Sequence, residues 1–189
     1  MMKSLALTFG FLFLFNFSFA QQVETSEKIW DDKNPLQAAD FKLKTSSNSS
    51  FALFTLSYNL FGLDFMTKNF NKKVKNIMLT DASFIDLENV EYALAYQQIL
   101  FDISEVYARQ LRKSFLENRW KLAGNIAIAE ELSDSISTEM SKERSRFEQE
   151  SKNGNDRDVM KIWKQNVDQR IAALAPFSYE NDDKIKLHQ

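Results

Sequence analysis

Glycine and proline are nearly absent from the second half of this chain. Between Glu88 and Pro176 the only such residues are Gly124 and Gly154. Because glycine and proline both disfavour helix interiors, a long stretch that almost lacks them can form long helices. This scarcity limits the C-terminal half to a mainly helical region more strongly than any single motif does.

Three amphipathic helices are predicted in this region. The first covers about residues 87–122, and the second covers about residues 125–150. A turn at Asn153 to Asp156, with Asp156 as a candidate N-cap, starts a third helix that ends at Pro176. Apolar residues spaced by threes and fours predict one buried face for each helix. These residues are Ala93, Tyr96, Leu100, Ile103, Tyr107 and Leu111 in the first helix, Ile126, Ala129, Ile136, Met140 and Phe147 in the second, and Val159, Trp163, Val167, Ile171 and Leu174 in the third.

The N-terminal half, from Lys28 to Phe84, has shorter segments with a preference for β-structure. Residues 51–58 and 73–79 are strand candidates, and the polar stretch 45–50 is a predicted loop. Together the two halves predict an α+β fold, in which a short antiparallel β-sheet packs on a C-terminal three-helix region. The length suits one domain, residues 21–189, with a short C-terminal tail from about residue 176.

The first twenty residues are typical of a signal peptide. Lys3 precedes an almost unbroken apolar run from Leu5 to Phe17, and Ser18 to Ala20 supply small residues for cleavage. The apolar run is shorter than the roughly 20 residues of a membrane-spanning helix. We therefore expect a periplasmic or secreted product that begins at Gln21, with no membrane span after cleavage.

Composition excludes several classes of function. The chain has 24 Lys and Arg against 26 Asp and Glu, and removal of Lys3 leaves a net charge of −3. Such a chain, without clustered basic residues, is not expected to bind nucleic acid. It has no cysteine and only one histidine, His188. A Ser-His-Asp or Cys-His catalytic site is therefore not expected.

Three separated segments carry a resemblance to one family. The first contains Lys28-Ile29-Trp30, Pro35-Leu36 and Asp40-Phe41-Lys42. The second runs from Leu94 through Tyr96-Gln97-Gln98 and Phe101-Asp102-Ile103 to Lys113, and the third runs from Phe147 to Gly154 with Trp163 downstream. In this order they resemble the predicted secreted zinc-dependent proteases of bacteria, a zincin-like family with an HExxH helix. The resemblance implies a zincin-like fold.

The positions that would bind zinc in this family hold unsuitable residues here. A zincin helix places two histidines at i and i+4 around one Zn²⁺, with a glutamate that accepts a proton from the bound water. By the resemblance, Tyr96 and Leu100 replace the histidines, Gln97 replaces the glutamate, and Asn153 replaces a third histidine. A phenol, a leucine and amides do not supply equivalent ligands. No catalytic residue, metal or other cofactor is therefore expected.

Other residues match the scaffold of the family rather than its metal site. Asp102, Glu105 and Arg109 are retained. The resemblance implies that Asp102 orients a neighbouring group, as carboxylates do around metal-binding side chains. Glu105 and Arg109 are spaced as an ion pair on a helix surface, which contributes a few tenths of a kcal/mol.

The leading hypothesis is a non-catalytic pseudo-peptidase that acts as a binding or structural component of the cell envelope. Its partner is an unknown envelope protein or peptide. One alternative is a hydrolase that uses unrecognised acidic residues, such as those around Asp102 and Glu105. Another is a helical envelope factor unrelated to zincins. A zincin-like domain requires the strands near Tyr58 to pack against the helix that contains Tyr96, with the apolar face of that helix turned inward.

Overall fold

A computed structural model describes residues 26–46, 48–62 and 66–187. The predicted signal peptide and His188 lie outside these described residues. Over these described residues the fold is α+β, as predicted, with a four-stranded mixed sheet in the N-terminal half and four helices after it. The strands are β1 (Glu27–Ile29), β2 (Leu43–Thr45), β3 (Phe51–Tyr58) and β4 (Val74–Asp86), and the helices are α1 (Val90–Glu117), α2 (Arg119–Gly124), α3 (Ile128–Glu150) and α4 (Arg157–Ala173).

The sheet is organised around the long strand β4. Strand β3 pairs antiparallel with β4 along one edge. On the other edge, β1 pairs antiparallel with Ile77–Leu79, and β2 pairs parallel with Phe84–Asp86. The sheet is therefore mixed, whereas the sequence predicted a purely antiparallel sheet. The difference arises because the connection between β1 and β2, which contains the short 3-10 helix Ala38–Asp40, reverses the direction of the chain.

Helix α1 lies at the centre of the molecule. Its side chain Phe101 stacks on Phe54 of β3, with ring centroids 4.6 Å apart, and α3 and α4 also pack against α1. Residues 101–109 are buried without interruption, so this part of the helix is covered on every side. An amphipathic stripe predicts only one buried face, and the additional burial follows from the position of α1 between the sheet and two helices.

Local signals located some element boundaries and missed others, among them those of strands β1 and β2 and of the separate helix α2. Strand β3 has the predicted bounds, and β4 extends past its predicted end to Asp86. The predicted first helix is two helices, because α1 ends at Glu117 and α2 begins at Arg119. Ile126, predicted to lie in the second helix, precedes α3 and is 57% exposed. Asp156 caps α4 as predicted, accepting a hydrogen bond from the Val159 backbone N–H at 3.3 Å. Within the described ranges, no helix combines the length and apolar character needed to cross a membrane.

A buried carboxylate connects the three long helices. Glu143 of α3 accepts hydrogen bonds from the Tyr107 hydroxyl of α1 at 2.6 Å and from Arg170 Nη2 of α4 at 2.9 Å. Burial alone would raise the pKa of Glu143, but the hydrogen bonds from Arg170 and Tyr107 hold it below its ordinary value. Burial, assisted by the Glu143 carboxylate, raises the pKa of Tyr107 to about 12.

The C-terminal segment packs on the domain. Asn71 donates hydrogen bonds from Nδ2 to the carbonyl oxygens of Pro176 at 3.0 Å and Asn181 at 2.9 Å. The Ile185 N–H donates to the Lys68 carbonyl at 3.2 Å. The stretch after residue 176, expected to be a tail, is therefore attached to the loop before β4.

Candidate binding cleft around Tyr96 and Asn153

The side chain of Tyr96 projects from α1 and packs against the turn that connects α3 to α4. Its ring stacks on Phe147, with centroids 5.3 Å apart and an interplanar angle of 25°. The same ring lies against Gly154, where a Cβ atom would come within 2.7 Å of Tyr96 Cδ2. Gly154 has a φ of +87°, which also favours glycine. The turn is thus placed directly on α1, which brings Asn153 near Tyr96.

Tyr96 and Asn153 line one polar cleft with a volume of about 690 Å³. Three segments form it, namely the loop before β3, the start of α1 and the α3–α4 turn. Its size lies within the usual range for ligand pockets. The polar cleft is lined by Asn48, Ser49, Ser50, Asp86, Asn89, Tyr92, Ala93, Tyr96, Asn153, Asn155 and Arg157. Amide, hydroxyl and phenol groups dominate this surface.

The other two positions that correspond to the metal site by resemblance do not line the cleft. Leu100 is 3% exposed and belongs to the hydrophobic core. Gln97 is 2% exposed, and its Nε2 donates a hydrogen bond to the Ser50 carbonyl at 3.2 Å. Its Oε1 has no hydrogen-bond partner among the described residues. Gln97 therefore connects α1 to the loop that forms one wall of the cleft.

The side chains at these positions do not fit a zinc ion. Burial and, to a smaller extent, the negative charge of Glu148 raise the pKa of Tyr96 to about 12. The phenol is therefore protonated at neutral pH and is a poor metal ligand. In the part of the chain that the structure describes, no group of three or more His, Cys, Asp or Glu side chains is arranged to hold a metal ion. Gln97 carries no ionisable group that could accept a proton from bound water.

Asp102 lies outside the cleft and links α1 to the chain just after β1. It is buried and accepts hydrogen bonds from Trp30 Nε1 at 2.8 Å and from Gln98 Nε2 at 2.7 Å. Burial raises the pKa of Asp102, while these two hydrogen bonds and the charge of Lys164, 3.8 Å away, oppose the rise. Asp102 thus holds the Trp30 indole against α1, and the orienting role implied by the resemblance stays a prediction.

The interpretation of Glu105 and Arg109 as a surface ion pair is wrong. Their side chains are 1% and 5% exposed. Glu105 Oε1 accepts hydrogen bonds from Arg109 Nε at 3.0 Å and from Arg112 Nη1 at 2.8 Å. The i, i+4 spacing is the same for buried and exposed pairs, and only the packing of the sheet and the end of α4 around α1 buries this one.

Arg112 extends this buried cluster to two other segments. It is fully buried and donates to the Val74 carbonyl from Nε at 3.1 Å and to the Phe177 carbonyl from Nη1 at 2.9 Å. Arg109 donates from Nη1 to the Ile171 carbonyl at 2.7 Å. The cluster thus joins β4, α1 and the end of α4. Its polar groups satisfy each other and the backbone, and none lines the cleft.

Several residues of the cleft were not predicted from the sequence. These are the loop residues Asn48 to Ser50, Asn89 and Tyr92 near the start of α1, and Arg157 in the first turn of α4. The density of hydroxyl and amide side chains in residues 45–50 was a usable signal, because such residues in a loop can present hydrogen-bonding groups to a ligand. Tyr92 and Arg157 carried no comparable signal, since each is unremarkable in a helix.

No protein-family model matches the chain, and no match was found among curated proteins or solved structures. The resemblance to zinc-dependent proteases therefore rests on the sequence motifs, and the cleft has to be interpreted from its own geometry.

Proposed function

We propose that this chain is a non-catalytic, zincin-like domain of the periplasm or the extracellular space that binds a peptide segment of an envelope partner in the polar cleft. One observation carries the proposal. Tyr96 and Asn153, which are far apart in sequence and correspond by resemblance to metal ligands, meet at the wall of the cleft, while Leu100 is enclosed in the core. A cleft with amide, hydroxyl and phenol groups, and with no set of metal ligands among the described residues that line it, has the chemistry of a binding site.

The lining of the cleft favours a peptide ligand. The cleft is lined by the amides of Asn48, Asn89, Asn153 and Asn155, a group that can both donate and accept hydrogen bonds. Some of this capacity is already used, because Asn89 Nδ2 donates to Asn48 Oδ1 at 3.3 Å and Asn155 Nδ2 donates to the Lys152 carbonyl at 2.8 Å. These groups match the alternating N–H and C=O groups of a peptide backbone. Tyr92 adds an aromatic surface for an apolar side chain. A binding or structural role in the envelope requires no further chemistry from this site.

The arrangement offers little support for the alternative hydrolase. Asp86 is the one carboxylate among the described residues that line the cleft, and it accepts hydrogen bonds from the Glu88 N–H at 3.2 Å and Asn89 Nδ2 at 3.4 Å. Asp102 and Glu105 both lie elsewhere in buried clusters. General acid-base hydrolysis by carboxylates needs two such groups at the substrate.

Metal content is the first test. Residues 21–189, purified in the presence of zinc, should contain no stoichiometric metal by mass spectrometry, and one zinc per chain would contradict the proposal. By the resemblance, restoration of the ligands should create at least weak zinc affinity, although Gln97 and Leu100 are enclosed and do not line the cleft. The restored variant combines Tyr96→His, Gln97→Glu, Leu100→His and Asn153→His. A control that retains Asn153 should bind more weakly, because its metal would lack one protein ligand.

Peptide binding is the second test, with the acetylated, amidated peptide ALQLQA as a neutral probe. We expect shifts of backbone amide resonances in residues 48–50 and 153–155 of the isotope-labelled protein, and no cleavage of the probe by mass spectrometry. Ser49→Trp should block binding, because Ser49 lines the cleft. Ser145→Trp is the control, at an exposed position of α3. Cleavage of the probe, insensitive to chelators, would support the hydrolase instead.

Secretion has its own test. Expression of the full chain in a Gram-negative host should give a periplasmic product whose N-terminal residue is Gln21. A product retained in the cytoplasm with residues 1–20 intact would contradict this part of the proposal.

A further inference from the structure

A second cavity adjoins the polar cleft. It is a groove of about 470 Å³ between the first half of α1 and the first half of α4. Ala95 and Ile99 line it from α1, and Met160 lines it from α4. Tyr92 and Arg157 line both the groove and the polar cleft. A ligand that crosses these two residues can therefore occupy both cavities.

The groove is basic on one side. Arg157, Lys161 and Lys164 follow each other at i, i+4 and i+7 on one face of α4, a distance of about 10 Å along the helix axis. Glu91 is the one acidic residue among the described residues that line the groove. This concentration of positive charge is local, because the chain without residues 1–20 has a net charge of −3.

The partners of these lysines within α4 are easily replaced. Lys161 lies 3.5 Å from Asp158, and both side chains are highly exposed. Lys164 contacts Asp168 at 2.5 Å, and both of these side chains are about half-exposed. Lys164 also lies 3.8 Å from the buried Asp102 carboxylate of α1. Exposed ion pairs within one helix are weak, so a carboxylate from a ligand can compete for these ammonium groups.

The boundary between the two cavities has an unused hydrogen-bonding group. The Tyr92 hydroxyl is buried and has no hydrogen-bond partner among the described residues. The Arg157 guanidinium lies over the Tyr92 ring, 5.2 Å from its centroid. The hydroxyl has almost no exposed surface, so a peptide that passes from the cleft to the groove would contact the Tyr92 ring and the Arg157 guanidinium rather than this group.

We propose that the groove selects an acidic peptide whose apolar side chains occupy the space between α1 and α4 and whose carboxylates contact Lys161 and Lys164. This inference rests on the proposed function, because the backbone of the same peptide continues into the polar cleft past Tyr92 and Arg157. The occupant is a peptide segment with carboxylates next to apolar side chains. Charge complementarity with α4 identifies it.

Three acetylated, amidated peptides test the selection by fluorescence anisotropy. ALELEA carries both apolar and acidic side chains, ALQLQA lacks the charges, and ASESEA lacks the apolar groups. We expect ALELEA to bind about tenfold more tightly than either of the others. An increase in NaCl from about 50 to about 500 mM should reduce this preference, because salt screens exposed charges.

Two substitutions connect the preference to the groove. Lys161→Glu should weaken ALELEA binding about fivefold or more and leave ALQLQA binding almost unchanged. Lys142→Glu is the matched control, because Lys142 is also exposed and pairs with a carboxylate at i−3, Glu139, on another helix. Ala95→Trp should fill the groove and reduce binding about tenfold, whereas Ala172→Trp, at an exposed position of α4, should not.

The outcomes separate this inference from the proposed function. Equal binding of ALELEA and ALQLQA, with resonance shifts in the polar cleft, overturns the acidic selection and leaves the proposed function standing. ALELEA binding that shifts only groove residues such as Ala95 and Met160 overturns the peptide cleft instead. Binding of neither peptide overturns both. Dodecanoate is a fatty-acid probe for the same groove. If it binds the groove residues more tightly than ALELEA does, or if a dimer of the chain closes the groove, the inference is also overturned.

Discussion

Replacement of Gly154 by alanine tests the contact on which the cleft depends. Two separate features make this position unsuitable for a side chain. The backbone φ is +87°, and a Cβ atom would lie 2.7 Å from Cδ2 and 3.0 Å from Cγ of Tyr96. Both of these atoms belong to a ring that is itself stacked on Phe147. The ring therefore cannot move away without the loss of another contact.

The expected destabilisation is the sum of two contributions. A positive φ costs an alanine about 1–2 kcal/mol relative to glycine. The overlap with Tyr96 adds about 1–3 kcal/mol, typical of an extra methyl group in a packed region. Gly154→Ala should thus lower the free energy of unfolding by about 2–5 kcal/mol.

Two other glycines provide controls in the same chain. Gly62 also has a positive φ, +62°, but an added Cβ would meet no described atom within 4 Å. Gly62→Ala should therefore show only the backbone contribution. Gly124 has neither feature and ends α2. Gly124→Ala should be neutral or stabilising by about 0.4–1 kcal/mol. Urea unfolding followed by circular dichroism gives all three values under one protocol.

A double substitution isolates the steric contribution. On a Tyr96→Ala background, Gly154→Ala should cost no more than Gly62→Ala does in the wild type, which corresponds to a coupling energy of about 1–3 kcal/mol. If Gly154→Ala and Gly62→Ala are equally destabilising and no coupling is found, the turn does not rest on Tyr96. The joint placement of Tyr96 and Asn153 in one cleft would then be wrong.

Three further substitutions test buried charges by urea unfolding. Arg112→Met should destabilise the domain by about 3–5 kcal/mol, because Glu105 and two backbone carbonyls lose a donor; Lys113→Met, at an exposed position, should change stability by less than about 0.5 kcal/mol. The pKa of Glu143 is held below its ordinary 4.5, so the stability lost in Glu143→Gln should be full above pH 4.5 and shrink as the pH falls below it. The pKa of Asp102 is raised above 3.8, so the wild type should lose stability as the pH rises from 3.8 towards neutrality. The free energy of unfolding of Asp102→Asn should therefore increase relative to that of the wild type over the same range. If the stability differences between these two variants and the wild type do not vary with pH, both pKa shifts are contradicted.

Local sequence signals predicted much of the fold. The β-prone residues 51–58 form a strand with those bounds, and Asp156 caps a helix as its position after a turn indicates. These features depend on neighbours within a few residues, which is the range that propensity and periodicity report. The boundary near Asn118 was missed because the apolar spacing continues through it, although the helix itself ends at Glu117.

The candidate site was predicted only in part. The motifs identified Tyr96 and Asn153, which line the cleft, together with Leu100 and Gln97, which do not. Spacing along a helix places Tyr96 and Leu100 on one face, but it does not indicate which segments cover each of them. One lines the cleft and the other, one turn further along, lies in the core. The loop before β3 forms a wall of the cleft, and this could not be inferred because no local pattern links it to α1.

The sequence by itself determined the α+β division of the chain, the strand at residues 51–58, the cap at Asp156 and the lack of zinc-binding side chains at the positions suggested by resemblance. The tertiary structure alone decided that β2 pairs parallel with β4, that the Glu105–Arg109 pair is buried and that Gly154 lies against Tyr96. The physical reason is range. Propensities, caps and ligand chemistry belong to a residue and its near neighbours, whereas burial, pairing direction and close contacts arise between segments that only the folded chain brings together.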